Sequence, residues 1–138
     1  MPVVDASVVV DWVAPRSDPG GPAGRTLERL ARSGARVLGP RLLVEDVANA
    51  LLTGVRRRRW SGAEADVSFS LLRRLPVRLV DEPGVLDRAF ELSRRYDEHP
   101  LYDMVYVALA ERLGEQLITA NEALRERLVL LPFVVAPG

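Results

Sequence analysis

Residues 3–12 read VVDASVVVDW, so that one carboxylate, Asp5, stands between two apolar runs. A buried charge of this kind is costly unless it is paired, hydrated or bound to a cation. Two interpretations are open: Asp5 or the nearby Ser7 caps a helix, or a short strand at Val3 and Val4 delivers Asp5 to a functional site. The rest of the chain has to decide between them.

Length and composition predict one domain that spans residues 1–138. A chain of 138 residues with 48% hydrophobic content can bury one ordinary core and is too short to argue for two. No apolar stretch is long enough to cross a membrane, and the N-terminus lacks the basic region of a signal peptide. We therefore expect a cytoplasmic protein with no membrane contact.

Charge and cysteine content exclude several kinds of site. The formal net charge is zero, so any nucleic-acid binding must come from a local patch and not from a global field. The absence of cysteine excludes disulfides, zinc thiolate sites and cysteine nucleophiles, and it fits a reducing compartment. All 19 basic residues are arginine, because the chain contains no lysine.

Short strands alternate with helices along the whole chain. Strands are predicted at Val3–Val4 and within 35–40, 77–80, 116–119 and 132–135, and helices over 7–13, 25–33, 40–58, 61–75, 84–96, 101–114 and 121–127. Pro40 is expected in the first turn of its helix, and Ser61 with Glu64 forms a capping-box pattern. This alternation predicts the α/β class, with a parallel central sheet of four to five strands between two helical layers.

Ligands of such sheets bind beyond the carboxyl ends of the strands. Asp5 follows the first strand, and Thr119 and Asn121 close the fourth strand. These three polar side chains are therefore expected at one edge of the sheet.

Helix geometry has to place Glu45. With Val44 as the reference direction, one apolar face of the helix contains Val47, Ala48, Leu51, Leu52 and Val55. Asp46 is predicted to point away from this face, and Glu45 is predicted at its border. Taken alone, Glu45 reads as an ordinary border residue of an amphipathic helix.

Asp103 lies in the segment HPLYDMVYVALA, where every position from 104 to 110 is apolar or aromatic. An acid in the first turn of a helix is favoured by the helix dipole, which explains the residue type. It does not explain why the surroundings are apolar on all sides, so a functional role is the preferred interpretation.

Four segments carry a resemblance to a known family: VVDASVVVDW (3–12), LLVEDVANAL (42–51), HPLYDMVYVALAERLG (99–114) and LITANEAL (117–124). In order, spacing and content they resemble the motifs of PIN-domain ribonucleases, specifically the VapC-type toxins of toxin–antitoxin pairs. The resemblance implies a three-layer α/β/α domain that binds Mg²⁺ or Mn²⁺ through clustered acids and cuts RNA. It also implies a VapB-type antitoxin as partner and a homodimer.

Carried over by position, the resemblance makes Asp5, Glu45 and Asp103 the catalytic and metal-binding acids, with Ser7 and Thr119 as accessory hydroxyls. The family often has aspartate where this chain has Asn121. An amide oxygen can hold a metal-bound water but adds no charge, so the sequence leaves a second metal open. Three carboxylates with no lysine nearby form a site that is incomplete without a cation.

The run RRRRW, residues 56–60, is the candidate RNA-binding segment. Arg56 and Arg57 are predicted to contact phosphates, and Trp60 could stack on a base. The competing interpretation is a solvated helix end, where cations are favoured in any case. His99 is interpreted as structural and not as a general base, and Trp12, Tyr102 and Tyr106 as core or interface residues.

Two other classes of protein compete with a nuclease. A phosphoacceptor receiver domain shares the topology and the acids around Mg²⁺, but it ordinarily uses a lysine after its last strand, and this chain has none. A catalytically weakened RNA- or protein-binding module is the second alternative. Asn121 supports that alternative, whereas the intact Asp5, Glu45 and Asp103 oppose it.

Overall fold

The computed structural model describes all 138 residues. Its five strands are all parallel and are β1 (Val3–Val4), β2 (Val37–Pro40), β3 (Val77–Val80), β4 (Leu117–Ile118) and β5 (Val134–Val135). Its seven helices are α1 (Ala6–Val13), α2 (Pro22–Ser33), α3 (Leu43–Arg56), α4 (Gly62–Leu72), α5 (Val85–Arg95), α6 (Leu101–Leu113) and α7 (Glu122–Arg127). No helix is both long and apolar enough to span a bilayer.

The sheet lies between two layers of helices. Helix α1 packs against α2, α3 and α4 on one face, whereas α6 covers β1, β2 and β4 with α5 packed against it. Because the two halves of the sheet are wound in opposite directions, right-handed crossovers place these two groups of helices on opposite faces. The predicted three-layer α/β/α fold with a parallel sheet is confirmed.

The strand order β3-β2-β1-β4-β5 creates a switch point between β1 and β4. From β1 the chain proceeds to β2 on one side, and the later half of the chain returns to β4 on the other side. Val3 and Val4 pair with Leu117 and Ile118. The residues that follow these two strands are therefore neighbours at the carboxyl edge, where parallel sheets form their ligand sites.

Helix α6 lacks an amphipathic pattern because it lies in the centre of its layer. Every residue from Met104 to Ala110 is buried, with Tyr106 only 1% exposed. The apolar surroundings that the sequence shows around Asp103 thus have a packing explanation, and they cannot by themselves assign Asp103 a function.

Several helix boundaries agree with the sequence, whereas α2 begins at Pro22 and not near Arg25, and α3 begins at Leu43 and not at Pro40. The capping box of Ser61 and Glu64 forms as predicted. Pro40 does not begin a helix, so that prediction is wrong: it is the last residue of β2, opposite Val80. A proline is tolerated at a strand end, and α3 begins at Leu43 after a short turn.

Trp60 packs against α3 and is partly buried. Its indole N–H donates to the Leu51 carbonyl at 2.9 Å, and its ring covers Gly54 so closely that a Cβ there would lie 2.0 Å from Trp60 Cζ2. The Trp60 ring therefore packs on Gly54, and stacking of Trp60 on a base stays a prediction.

The close contact between Gly54 and the Trp60 ring makes Gly54→Ala a test of the packing. Alanine raises helix propensity by about 1 kcal/mol, yet the clash with the Trp60 ring should reverse that gain and destabilise the protein by about 1–3 kcal/mol net. Urea denaturation followed by tryptophan fluorescence measures the change. Gly62→Ala, at a position with nothing within 4 Å, is the matched control and should be close to neutral. Equal stability of Gly54→Ala and wild type would contradict the packing.

Candidate functional site

Asp5 lies at the switch point, directly after β1, and is 5% exposed. It occupies the position before α1 and makes no side-chain capping bond, so the structure does not support the capping interpretation of this segment. Its Oδ2 accepts hydrogen bonds from Thr119 Oγ1 at 2.6 Å and from Ser7 Oγ at 3.1 Å. Burial raises the pKa of Asp5, the hydroxyl bonds partly offset that rise, and the charge of Asp103 adds to it.

The hydroxyls of Ser7 and Thr119 are oriented by the backbone. Ser7 Oγ accepts from the Ala120 N–H at 3.0 Å, and Thr119 Oγ1 accepts from the Asn121 N–H at 3.1 Å. Because each hydroxyl oxygen accepts a backbone proton, its own proton is available to Asp5. The two residues predicted as accessory hydroxyls thus join the segments after β1 and β4 around one carboxylate.

Asn121 acts as the cap of α7. Its Oδ1 accepts a hydrogen bond from the Leu124 N–H at 3.1 Å, a standard use of asparagine at this position. The oxygen that the sequence analysis assigned to a metal-bound water is therefore engaged with the backbone. An amide oxygen can accept a second hydrogen bond, so a metal-bound water at Asn121 stays a prediction.

Helix α3 directs Asp46 toward Tyr106, whereas the family resemblance pointed to the neighbouring Glu45, whose role stays a prediction. Asp46 is partly buried, and its Oδ2 accepts a hydrogen bond from the Tyr106 hydroxyl at 2.8 Å, whereas Glu45 is exposed. Burial raises the pKa of Asp46, the Tyr106 bond lowers it, and the charges of Asp103 and Glu45 raise it further. The prediction that Asp46 points away from the apolar face of α3 is wrong, because its carboxylate reaches the buried Tyr106.

The error came from the reference direction chosen for the helix. The buried residues of α3 are Leu43, Val47, Leu51 and Gly54, and Leu52 is 62% exposed. At 100° per residue, Asp46 lies about 60° from Leu43 whereas Glu45 lies about 160° from it. A wheel centred on Leu43 would have found Asp46 from the sequence.

Asp103 lies in the first turn of α6, with its side chain 30% exposed. Its Oδ2 is 2.7 Å from His99 Nε2, so His99 contacts a carboxylate of the site. The charge of Asp103 raises the pKa of both Asp5 and Asp46. Asp5, Asp46 and Asp103 therefore share one electrostatic neighbourhood, and we call these three residues the acid cluster.

The donor chemistry of the acid cluster suits a hard divalent cation. In each carboxylate the hydrogen bonds described above use Oδ2, which leaves Oδ1 for a further ligand. The arginine ion pairs of the protein involve other carboxylates. Oxygen donors of this kind are what Mg²⁺ prefers. The structure does not place three His, Cys, Asp or Glu side chains close enough to one another to hold one ion jointly.

The predicted RNA-binding arginines lie far from the acid cluster. Arg56 is ten residues beyond Asp46 on the same helix, a separation of about 15 Å along its axis. A closer cation is Arg125, which the sequence analysis missed and which is partly buried with its guanidinium donating to the Thr119 carbonyl. Its position four residues after Asn121, on a helix that starts at the carboxyl edge, was the available signal.

Comparison with known proteins agrees with this architecture. Residues 3–127 match the PIN domain. The chain is 33% identical over 126 residues to Ribonuclease VapC12 of Mycobacterium tuberculosis, in each of the strains CDC 1551 and H37Rv, and the match covers 91% of both proteins. The resemblance found in the motifs is confirmed, and the chain belongs to the PIN-domain family, as a member of its VapC-type ribonucleases.

Proposed function

We propose that this protein is a metal-dependent endoribonuclease that acts as the toxin of a type II toxin–antitoxin pair. It hydrolyses RNA phosphodiester bonds and thereby inhibits translation and growth. One observation carries the proposal: a buried carboxylate, Asp5, lies at the switch point of a parallel sheet. The charge of Asp103 raises the pKa of Asp5, and no arginine pairs with Asp5. The similarity to Ribonuclease VapC12 supports the same activity.

Asp5, Asp103 and an acid from α3 hold Mg²⁺ or Mn²⁺ in this proposal. Geometry favours Asp46 as the third acid because its side chain bonds to Tyr106 and interacts with the charge of Asp103. Glu45, which the family resemblance names, is the alternative third acid. A bound divalent cation neutralises charge on the scissile phosphate and makes a water molecule a better nucleophile. Asn121 caps α7 and adds no charge to the site, so the proposal names one metal.

The remaining residues position the acids and the RNA. Ser7 and Thr119 hold Asp5 in place through their hydroxyls. Arg125 contacts this loop through the Thr119 carbonyl and is suited to contact a phosphate, since its guanidinium has five N–H donors and one is used on Thr119. Arg56 and Arg57 contact phosphates further along a bound strand. Residues 1–138 form one nuclease domain.

The partners in this proposal are RNA, a VapB-type antitoxin and a second copy of the chain. The antitoxin suppresses cleavage by covering the acid cluster. The homodimer places two such clusters in one assembly.

A catalytically weakened RNA- or protein-binding module is the second candidate. The engaged Asn121 oxygen and the separated carboxylates favour it. Against it stand three acids in one neighbourhood, where the charge of Asp103 repels both Asp5 and Asp46 and a bound cation would offset that repulsion.

Cleavage of RNA by the purified protein separates the two candidates. We expect end-labelled RNA to be cut internally in Mg²⁺ or Mn²⁺, to stay intact in excess EDTA, and to be cut again when Mg²⁺ is restored above the chelator. Binding of the RNA without cleavage in either metal would favour the weakened module. Cleavage that persists in EDTA would contradict the metal-dependent proposal.

A further inference from the structure

Tyr106 places a polar atom inside an otherwise apolar segment. The side chain is 1% exposed, and its neighbours from Met104 to Ala110 are all buried. A buried tyrosine hydroxyl needs a partner, and this one donates to Asp46 Oδ2 at 2.8 Å, across 60 residues of sequence. Burial and this bond both raise the pKa of Tyr106, so the hydroxyl keeps its proton and acts as a donor.

We propose that Tyr106 is a positioning residue that holds the Asp46 carboxylate in the acid cluster. The inference rests on the proposed function, because it assigns a role toward the metal that the acid cluster would bind. It goes beyond that function by naming the residue of α6 that selects Asp46, and not Glu45, from the first turn of α3.

The geometry gives Tyr106 this role because its ring cannot move. The packed core fixes the ring, and its hydroxyl is then a fixed point at the carboxyl edge of the sheet. Asp46 by contrast lies on the flank of α3, where a short side chain has several rotamers available. The hydrogen bond restricts this choice and directs the second oxygen, Oδ1, away from the tyrosine.

Helix α6 thereby contributes to the positions of two acids, Asp103 and Asp46. Asp103 and Tyr106 are three residues apart, so they lie on the same side of the helix. One supplies a carboxylate directly, and the other supplies a donor to the carboxylate of a helix in the opposite layer. The bond between Tyr106 and Asp46 joins the two helical layers at the site.

Groups that hold a metal ligand from behind contribute about 10–100-fold to metal affinity or activity. Tyr106→Phe keeps the ring and removes only the donor. We therefore expect the variant to fold and to require at least about tenfold more Mn²⁺ for half of its maximal thermal stabilisation. Tyr102→Phe is the matched control, because Tyr102 lies on the same helix and is 65% exposed. It should titrate as wild type does.

The measurement is a Mn²⁺ titration of the thermal midpoint, with calorimetric binding of Mn²⁺ alone as a second readout. Neither readout depends on RNA cleavage. Asp46→Asn should show an increased Mn²⁺ requirement, and the double variant with Tyr106→Phe should show no further increase, because Tyr106 acts through Asp46. A further loss in the double variant would overturn the assignment.

Asp5→Asn separates failure of this inference from failure of the proposed function. If Mn²⁺ stabilises the wild type but not Asp5→Asn, the metal site is sound, and a Tyr106→Phe curve that superimposes on wild type overturns the role of Tyr106 alone. If Mn²⁺ does not stabilise the wild type, or stabilises Asp5→Asn equally well, the metal site and the inference both fall.

Discussion

Asp5→Asn should reduce RNA cleavage by more than about 100-fold, since it removes a direct ligand and not merely an outer support. The folded protein should tolerate the change. Asparagine has nearly the same shape, and its amide oxygen can accept the bonds from Thr119 and Ser7. Loss of a buried charge that Asp103 repels should make the metal-free variant about 1 kcal/mol more stable, which raises its thermal midpoint by roughly 3–5 °C.

Cleavage rates and metal-free melting curves, recorded at neutral pH, measure these two effects together. Asp11→Asn is the matched control, because Asp11 is a second acid of the same N-terminal segment and burial also raises its pKa. It lies on the exposed side of α1 and should leave cleavage unchanged. An inactive Asp5→Asn variant that also melts well below wild type would show that Asp5 supports the fold and would leave its catalytic role without support.

Asp46→Asn should also reduce cleavage by about 100-fold, whereas Glu45→Gln should change it less than about threefold. The two residues are adjacent, carry the same charge and share the first turn of α3. They differ in direction, because Asp46 bonds to Tyr106 and faces Asp103 while Glu45 is exposed. Comparison of the two variants therefore tests whether cleavage depends on the direction of the side chain and not only on the charge in the first turn of α3.

Single-turnover cleavage at saturating Mg²⁺, followed by a Mg²⁺ titration, distinguishes a lost ligand from a weakened one. Circular dichroism of both variants checks that α3 is retained. A large loss in Glu45→Gln with an active Asp46→Asn would restore the assignment made from the sequence and would show that α3 turns when metal binds.

The order of strands and helices was predictable because it depends on local signals. The Ser61 capping box and the apolar periods of 2 and 3.6 residues are written in short segments, and each forms where the sequence places it. Asp5 could be singled out for the same reason, since a carboxylate between two valine-rich runs needs an explanation whatever surrounds it. The family resemblance then supplied the partners of Asp5 that lie far away in sequence.

Predictions from the sequence were wrong or stayed open where a side chain could take either of two local roles. Pro40 suits a first helical turn as well as a strand end, and pairing with β3 decided in favour of the strand. Asn121 suits a metal site as well as a helix cap, and the formation of α7 engaged its oxygen. Propensity allowed both roles in each case. Pairing with another strand selected the strand end for Pro40, whereas a local bond within the first turn of α7 forms the cap at Asn121.

The sequence by itself determined the fold class, the position of Asp5 after a buried strand and the presence of two acids at the start of α3. Only the tertiary structure decided which of those two acids bonds to Tyr106. The rotation of α3 is set by the packing of Leu43, Val47 and Leu51 against the core, and the partner of Asp46 comes from 60 residues away. Helical periodicity gives the angle between side chains, but the direction of the whole helix is fixed only when it packs.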